Sequence, residues 1–125
     1  MWPQTYRPIS QAEAAVVTHA LAKAATGIAA PGLESQVQSL VVVAYCPCGC
    51  GSVTFGVPGQ DHADSRQLAD GCAQTTDGTL VGVFVWGTAE VISGLEIYQM
   101  DEEAASMPDP ATIRKWREGE LQGDF

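Results

Sequence analysis

The sequence predicts an α+β domain: an N-terminal helix, a four-stranded antiparallel sheet made of two hairpins, and a short C-terminal helix, all within a single domain spanning residues 1–125. Three observations carry this. A capping box opens an apolar-periodic stretch near the N-terminus, two pairs of β-rich runs are each joined by turn residues, and a Pro-Asp-Pro signal stands near the C-terminus. Helices segregated from strands favour α+β over a parallel α/β sheet.

The first helix is predicted over about Gln11 to Thr26. Ser10-Gln-Ala-Glu13 can satisfy two otherwise unpaired amides reciprocally. Ala14, Val17, Leu21 and Ala24 then recur at spacings of three and four, and Gly27 with Pro31-Gly32 closes the helix. From Glu34 to Tyr45 the chain is β-rich, and Ser52 to Val57 answers it with Val53, Phe55 and Val57 on one face. The connection between them is Tyr45-Cys-Pro-Cys-Gly-Cys-Gly51, whose Pro47, Gly49 and Gly51 suit a tight or bulged hairpin.

Pro58 to Thr79 reads as a loop punctuated by Pro58-Gly59, Asp70-Gly71 and Asp77-Gly78, with one short element around Arg66 to Ala69. Leu80 to Trp86 reads as a buried strand, Gly87 to Glu90 as a turn, and Val91 to Met100 as its partner. Asp109 is the expected N-cap of the last helix, with Pro110 at the first helical position and Ile113 and Trp116 on one face. The tail from Glu118 to Phe125 is expected to fray. Val17, Leu21, Val42, Phe55, Phe84, Ile97 and Trp116 are expected in or near the core.

Composition bounds the function. Fifteen acidic against six basic residues give a formal charge of −9, which disfavours nucleic acid because phosphate binding relies on a cationic face. The same charge keeps a small protein soluble or complements a basic protein partner. No apolar run approaches the roughly 20 residues of a membrane helix. The N-terminal residues lack the apolar core of a secretory signal, so a cytoplasmic location is the default expectation.

Chemistry, if present, is expected at the cysteines. Cys46, Cys48 and Cys50 on alternate residues, with Cys72 or His62 as a fourth ligand, could hold zinc, which takes four soft or borderline ligands. The familiar structural sites instead use two knuckles with wider spacing. A disulfide across the turn is disfavoured by a reducing compartment. The leading reading is a shaped glycine-rich turn with thiols acting as small hydrophobes and no cofactor. Asp61-His62-Ala-Asp64 is a weaker cation candidate, and Glu90 and Glu96 a candidate carboxylate pair on the last hairpin. No nucleophile elbow, phosphate loop or dinucleotide fingerprint occurs, so a non-enzymatic role is expected.

The run from Cys48 to Phe55, with Ser93-Gly-Leu-Glu-Ile-Tyr98 and a Pro-initiated terminal helix, resembles small uncharacterised bacterial proteins built on a glycine/cysteine-rich hairpin. Compact acidic domains of this kind are also similar to immunity proteins of bacterial toxin systems. That resemblance implies a protein-binding, inhibitory module for a basic partner, with Trp2, Tyr6 and Trp86 as candidate anchors; Trp86 is also a core candidate.

Overall fold

The computed structural model describes residues 2–27, 29, 31–47, 50–56, 64–99 and 106–117. Seven strands form one antiparallel sheet, and both helical regions of the first forty residues lie on the same side of it. The strands are β1 (Gln4–Pro8), β2 (Val41–Tyr45), β3 (Val53–Phe55), β4 (Arg66–Gln74), β5 (Leu80–Gly87), β6 (Ile92–Gln99) and β7 (Arg114–Lys115). Their order across the sheet is β1-β2-β3-β6-β5-β4-β7. The α+β class stands in this broad sense, but the expected four-stranded sheet is replaced by seven strands.

Helix α1 (Gln11–Lys23) begins as expected. Ser10 Oγ accepts from Glu13 N at 3.1 Å, and Glu13 Oε1 accepts from Ser10 N at 2.9 Å. Val16, Val17 and Ala20 are fully buried, while Leu21 packs only at the margin of the core. The helix stops at Lys23, earlier than Gly27, because the sheet captures the chain. Ala24 O accepts from Asp70 N at 3.0 Å, and Thr26 N donates to Leu68 O at 2.9 Å. The following 3₁₀ helix, Leu33–Ser39, occupies residues read as the start of a strand; its Leu33 and Val37 enter the core instead.

Three strands or strand-like pieces replace expected loop and helix. β1 pairs with β2 at the outer edge, and Arg7 of β1 clamps Glu13 of α1 through two bonds of 2.9 and 2.8 Å. β4 starts on the short element expected around Arg66 to Ala69 and extends to Gln74 through residues expected to be loop. Its Ala69, Gly71 and Ala73 face α1, and a Cβ on Gly71 would stand 2.7 Å from Ala24 Cβ and 2.4 Å from Arg114 O. The small residues that argue against a strand are what let helix and strand touch.

The C-terminal helix also gives way. Asp109 caps, accepting from Ala111 N at 3.0 Å, but only one 3₁₀ turn forms at Pro110–Thr112. Thr112 Oγ1 then accepts from Gln74 N at 2.8 Å, and the chain continues as β7 along β4, pairing Lys115 with Gly71 and Arg114 with Cys72.

The two predicted hairpins are present, β2 with β3 and β5 with β6. β3 joins the later hairpin through β6, where Val53 and Thr54 oppose Leu95 and Gly94. The core between sheet and helices contains Val42, Phe55, Leu68, Val83, Val85, Leu95 and Ile97, all at most 1% exposed. Among the described residues no helix is long and apolar enough to cross a membrane.

Candidate functional site

A strand buried on one face alternates side chains between two environments. In β5 the residues Val81, Val83 and Val85 fill the core, leaving Gly82, Phe84 and Trp86 on the opposite face. Register places this second face in rows. Asp70, Phe84 and Glu96 lie side by side on β4, β5 and β6, and Cys72, Gly82 and Tyr98 form the next row. Trp86 stands opposite Gly94, which in turn faces Thr54.

The face is aromatic and its carboxylates are tethered. Phe84 meets Trp86 edge-on at 6.3 Å between centroids and stacks on Tyr98 at 5.0 Å. Tyr98 reaches this position because its row neighbour is glycine: a Cβ on Gly82 would lie 2.2 Å from Tyr98 Cε1. Trp86 Nε1 donates to Glu96 Oε2 at 3.2 Å, and Trp116 Nε1 donates to Asp70 Oδ1 at 2.9 Å. The two carboxylates flank Phe84, roughly 10 Å apart at the usual strand spacing. Burial, followed by the nearby charges of Asp70, Glu96 and Cys72, pushes the Tyr98 phenol above its ordinary value.

At the β3–β6–β5 end of this face is a cleft of about 320 Å³. Trp2 and Trp86 stand in its walls, Gly94 lies in its floor, and Thr54, Ser65, Ser93 and Glu96 supply oxygen atoms. Ser65 and Ser93 share a hydroxyl–hydroxyl bond of 2.6 Å. All three tryptophans of the chain thus belong to this face.

Several expectations placed these residues elsewhere. Phe84 and Trp116 are half-buried on the second face and lie outside the core expected for them. Trp86 is half-buried beside the cleft, Trp2 is 37% exposed, and Tyr6 is exposed on the edge strand. Glu96 belongs to the face, whereas Glu90 sits in the exposed β5–β6 turn, so the two carboxylates do not pair. Asp70 went unrecognised because Asp70-Gly71 reads as a turn. The alternation of Gly82, Phe84 and Trp86 against Val81, Val83 and Val85 is the sequence signal that marks the face.

The cysteines are distributed differently. Cys46 is half-buried just after β2 and lines a second cleft of about 350 Å³ with Arg7, Glu13 and Tyr45. Cys50 is buried, its Sγ 3.2 Å from Ser52 Oγ; that hydroxyl accepts from Ile97 N at 2.8 Å and bonds Ile97 O at 3.1 Å. Gly51 takes φ 92°, the left-handed conformation expected of the turn. Cys72 is buried on β4, three strand positions from β3 and facing away from the core cluster that holds Cys50. The sheet therefore does not bring Cys72 to the cysteine turn. Cys48, Asp61 and His62 lie outside the described residues, and Asp64 is exposed. Among the described residues no three His, Cys, Asp or Glu side chains converge on a metal-sized site, and no disulfide joins Cys46, Cys50 and Cys72. His19 is on α1, with Nδ1 2.8 Å from Ala15 O.

No protein-family model, no curated protein and no solved structure matches the chain. The reading of this face therefore rests on its own chemistry.

Proposed function

We propose that this protein is a non-enzymatic binding module that engages a basic protein partner, as an immunity-type or other inhibitory protein does. One observation carries the reading: the three tryptophans, with Phe84 and Tyr98, gather on the sheet face opposite the helices, around two indole-held carboxylates. Tryptophan and tyrosine are the residues that most often anchor protein interfaces, because they present large rigid areas at small entropic cost. The formal charge of −9 adds long-range attraction toward a cationic partner and would raise its association rate.

The test is capture from the native host on immobilised protein, with a Trp86→Ala variant in parallel, at low and high salt. The expected result is a basic protein retained by the parent, released by salt, and held about tenfold more weakly or worse by the variant, since a central aromatic anchor contributes more than 1.4 kcal/mol. Retention that ignores both salt and the substitution would refute the reading.

A further inference from the structure

We infer that the cleft between Trp2 and Trp86 receives the guanidinium of an arginine side chain from the partner. This rests on the binding-module reading and specifies its chemistry. Apart from the two indoles, the described polar side chains among the lining residues are those of Thr54, Ser65, Ser93 and Glu96. No lysine, arginine or histidine lines it among the described residues. A carboxylate and hydroxyls able to accept, beside two indoles, fit a ligand that is planar, cationic and made of donors.

Arginine meets each demand. It presents five N–H donors and no acceptor, stays charged throughout the working pH range, and stacks on aromatic faces. Glu96 is prepared for it. One oxygen, Oε2, is held by Trp86 Nε1, which fixes the carboxylate beside the indole and leaves Oε1 as an acceptor for the incoming fork. The Ser65–Ser93 pair has one hydroxyl proton between its two oxygens and further lone pairs to offer. Gly94 keeps the floor open, for a Cβ there would meet nothing closer than Val53 O at 3.5 Å. Arg66, next to the cleft residue Ser65, has its guanidinium on Asp64 O and Ser65 O at 3.2 and 3.3 Å and does not line the cleft, and Arg114 belongs to β7 at the sheet edge. Lysine fits less well, because its compact ammonium cannot stack as a plane or form a fork.

The experiment titrates the intact protein with an acetylated, amidated Gly-Arg-Gly peptide and its citrulline and lysine counterparts, following the indole N–H signals of Trp2 and Trp86 by NMR. Citrulline keeps the shape of arginine and removes its charge. The arginine peptide is expected to shift both indole signals and to bind about tenfold tighter than the citrulline peptide, with lysine between them. Glu96→Gln retains an oxygen for the Trp86 indole, and Gly94→Val adds bulk to the floor on a strand that favours β-branching. Each should stay folded and weaken arginine binding about tenfold. Equal binding of arginine and citrulline, or arginine binding unchanged in both variants, would overturn the assignment. If the peptide fails while a basic protein is still captured through Trp86, the arginine assignment falls and the binding module stands. If the peptide binds but no basic protein is captured, the cleft stands and the module reading falls.

Discussion

Arg7→Ala should destabilise this protein more than Glu13→Gln, although both break the same ion pair. The Glu13 side chain is only 6% exposed, whereas that of Arg7 is 41% exposed. In the parent, Glu13 accepts Arg7 Nη1 at 2.9 Å, Arg7 Nη2 at 2.8 Å and Ser10 N at 2.9 Å. Removing Arg7 leaves a buried carboxylate with the Ser10 amide alone. Loss of one partner from a fully buried pair costs about 3 to 5 kcal/mol; with Arg7 41% exposed and the Ser10 amide surviving, this case falls nearer about 2. Glu13→Gln leaves the guanidinium to water and keeps an oxygen for Ser10 N, so its cost is nearer 1 kcal/mol.

The pH dependence separates the two further. Burial by itself would raise the Glu13 pKa, but the Arg7 and Ser10 hydrogen bonds and the Arg7 charge outweigh it and hold the carboxyl below its ordinary value. The parent therefore gains stability from Glu13 above the unfolded-state pKa of about 4.3, and loses it as pH falls through the lower folded value. Without Arg7 only the Ser10 hydrogen bonds oppose burial, so the folded pKa of Glu13 moves up from its depressed value. The Arg7→Ala deficit is then largest at neutral pH and shrinks toward about pH 3 as the carboxyl takes up a proton. Urea unfolding at pH 7 and pH 3 measures both variants; the larger deficit corresponds to a melting temperature lower by about 5 to 10 °C. A deficit for Arg7→Ala no larger than for Glu13→Gln, or one independent of pH, would refute the argument.

Two glycines give contrasting outcomes. Gly71→Ala drives a methyl to 2.4 Å from Arg114 O and 2.7 Å from Ala24 Cβ, so β7 or the end of α1 must move; a loss of about 2 kcal/mol or more by urea unfolding is expected, within the range for overpacking. Gly82→Ala meets only the Tyr98 ring, which can swing outward, so the lost stacking of about 1 kcal/mol is largely offset by removing a strand glycine. Unfolding free energy should change by less than about 1 kcal/mol while the near-UV dichroism of the aromatic face changes.

What the sequence made legible follows local physics. The capping box, the β2–β3 hairpin and the β5–β6 hairpin are each specified by residues close in the chain. β4 is not, because Ala69, Asp70, Gly71 and Ala73 carry poor strand propensity and are held there by α1 on one side and β5 and β7 on the other. β7 shows the same override: the Asp109–Pro110 start signal works, yet Thr112 bonds Gln74 and diverts the chain to the sheet edge. The candidate face was visible only in fragments. Trp86 and Glu96 could be named individually, but their apposition depends on hairpin register. Trp2 and Asp70 join them through long-range pairing that no local pattern encodes.

The two faces of the sheet answer different demands. The helix face is a contiguous apolar layer in which Val42, Phe55, Val83, Leu95 and their neighbours supply the burial that holds the fold. The opposite face could have been a plain solvated sheet surface of threonines and β-branched residues, which suit strands better than Asp70, Gly82 and Gly94 do. It bears half-buried aromatics instead, and carboxylates held by indoles. Those tethers have a consequence for binding. Because Trp86 and Trp116 already hold Glu96 and Asp70, less side-chain freedom remains to be lost when a partner arrives, and pre-ordered groups convert more of their contact energy into affinity. Side chains ordered before contact suit the binding role proposed for this face.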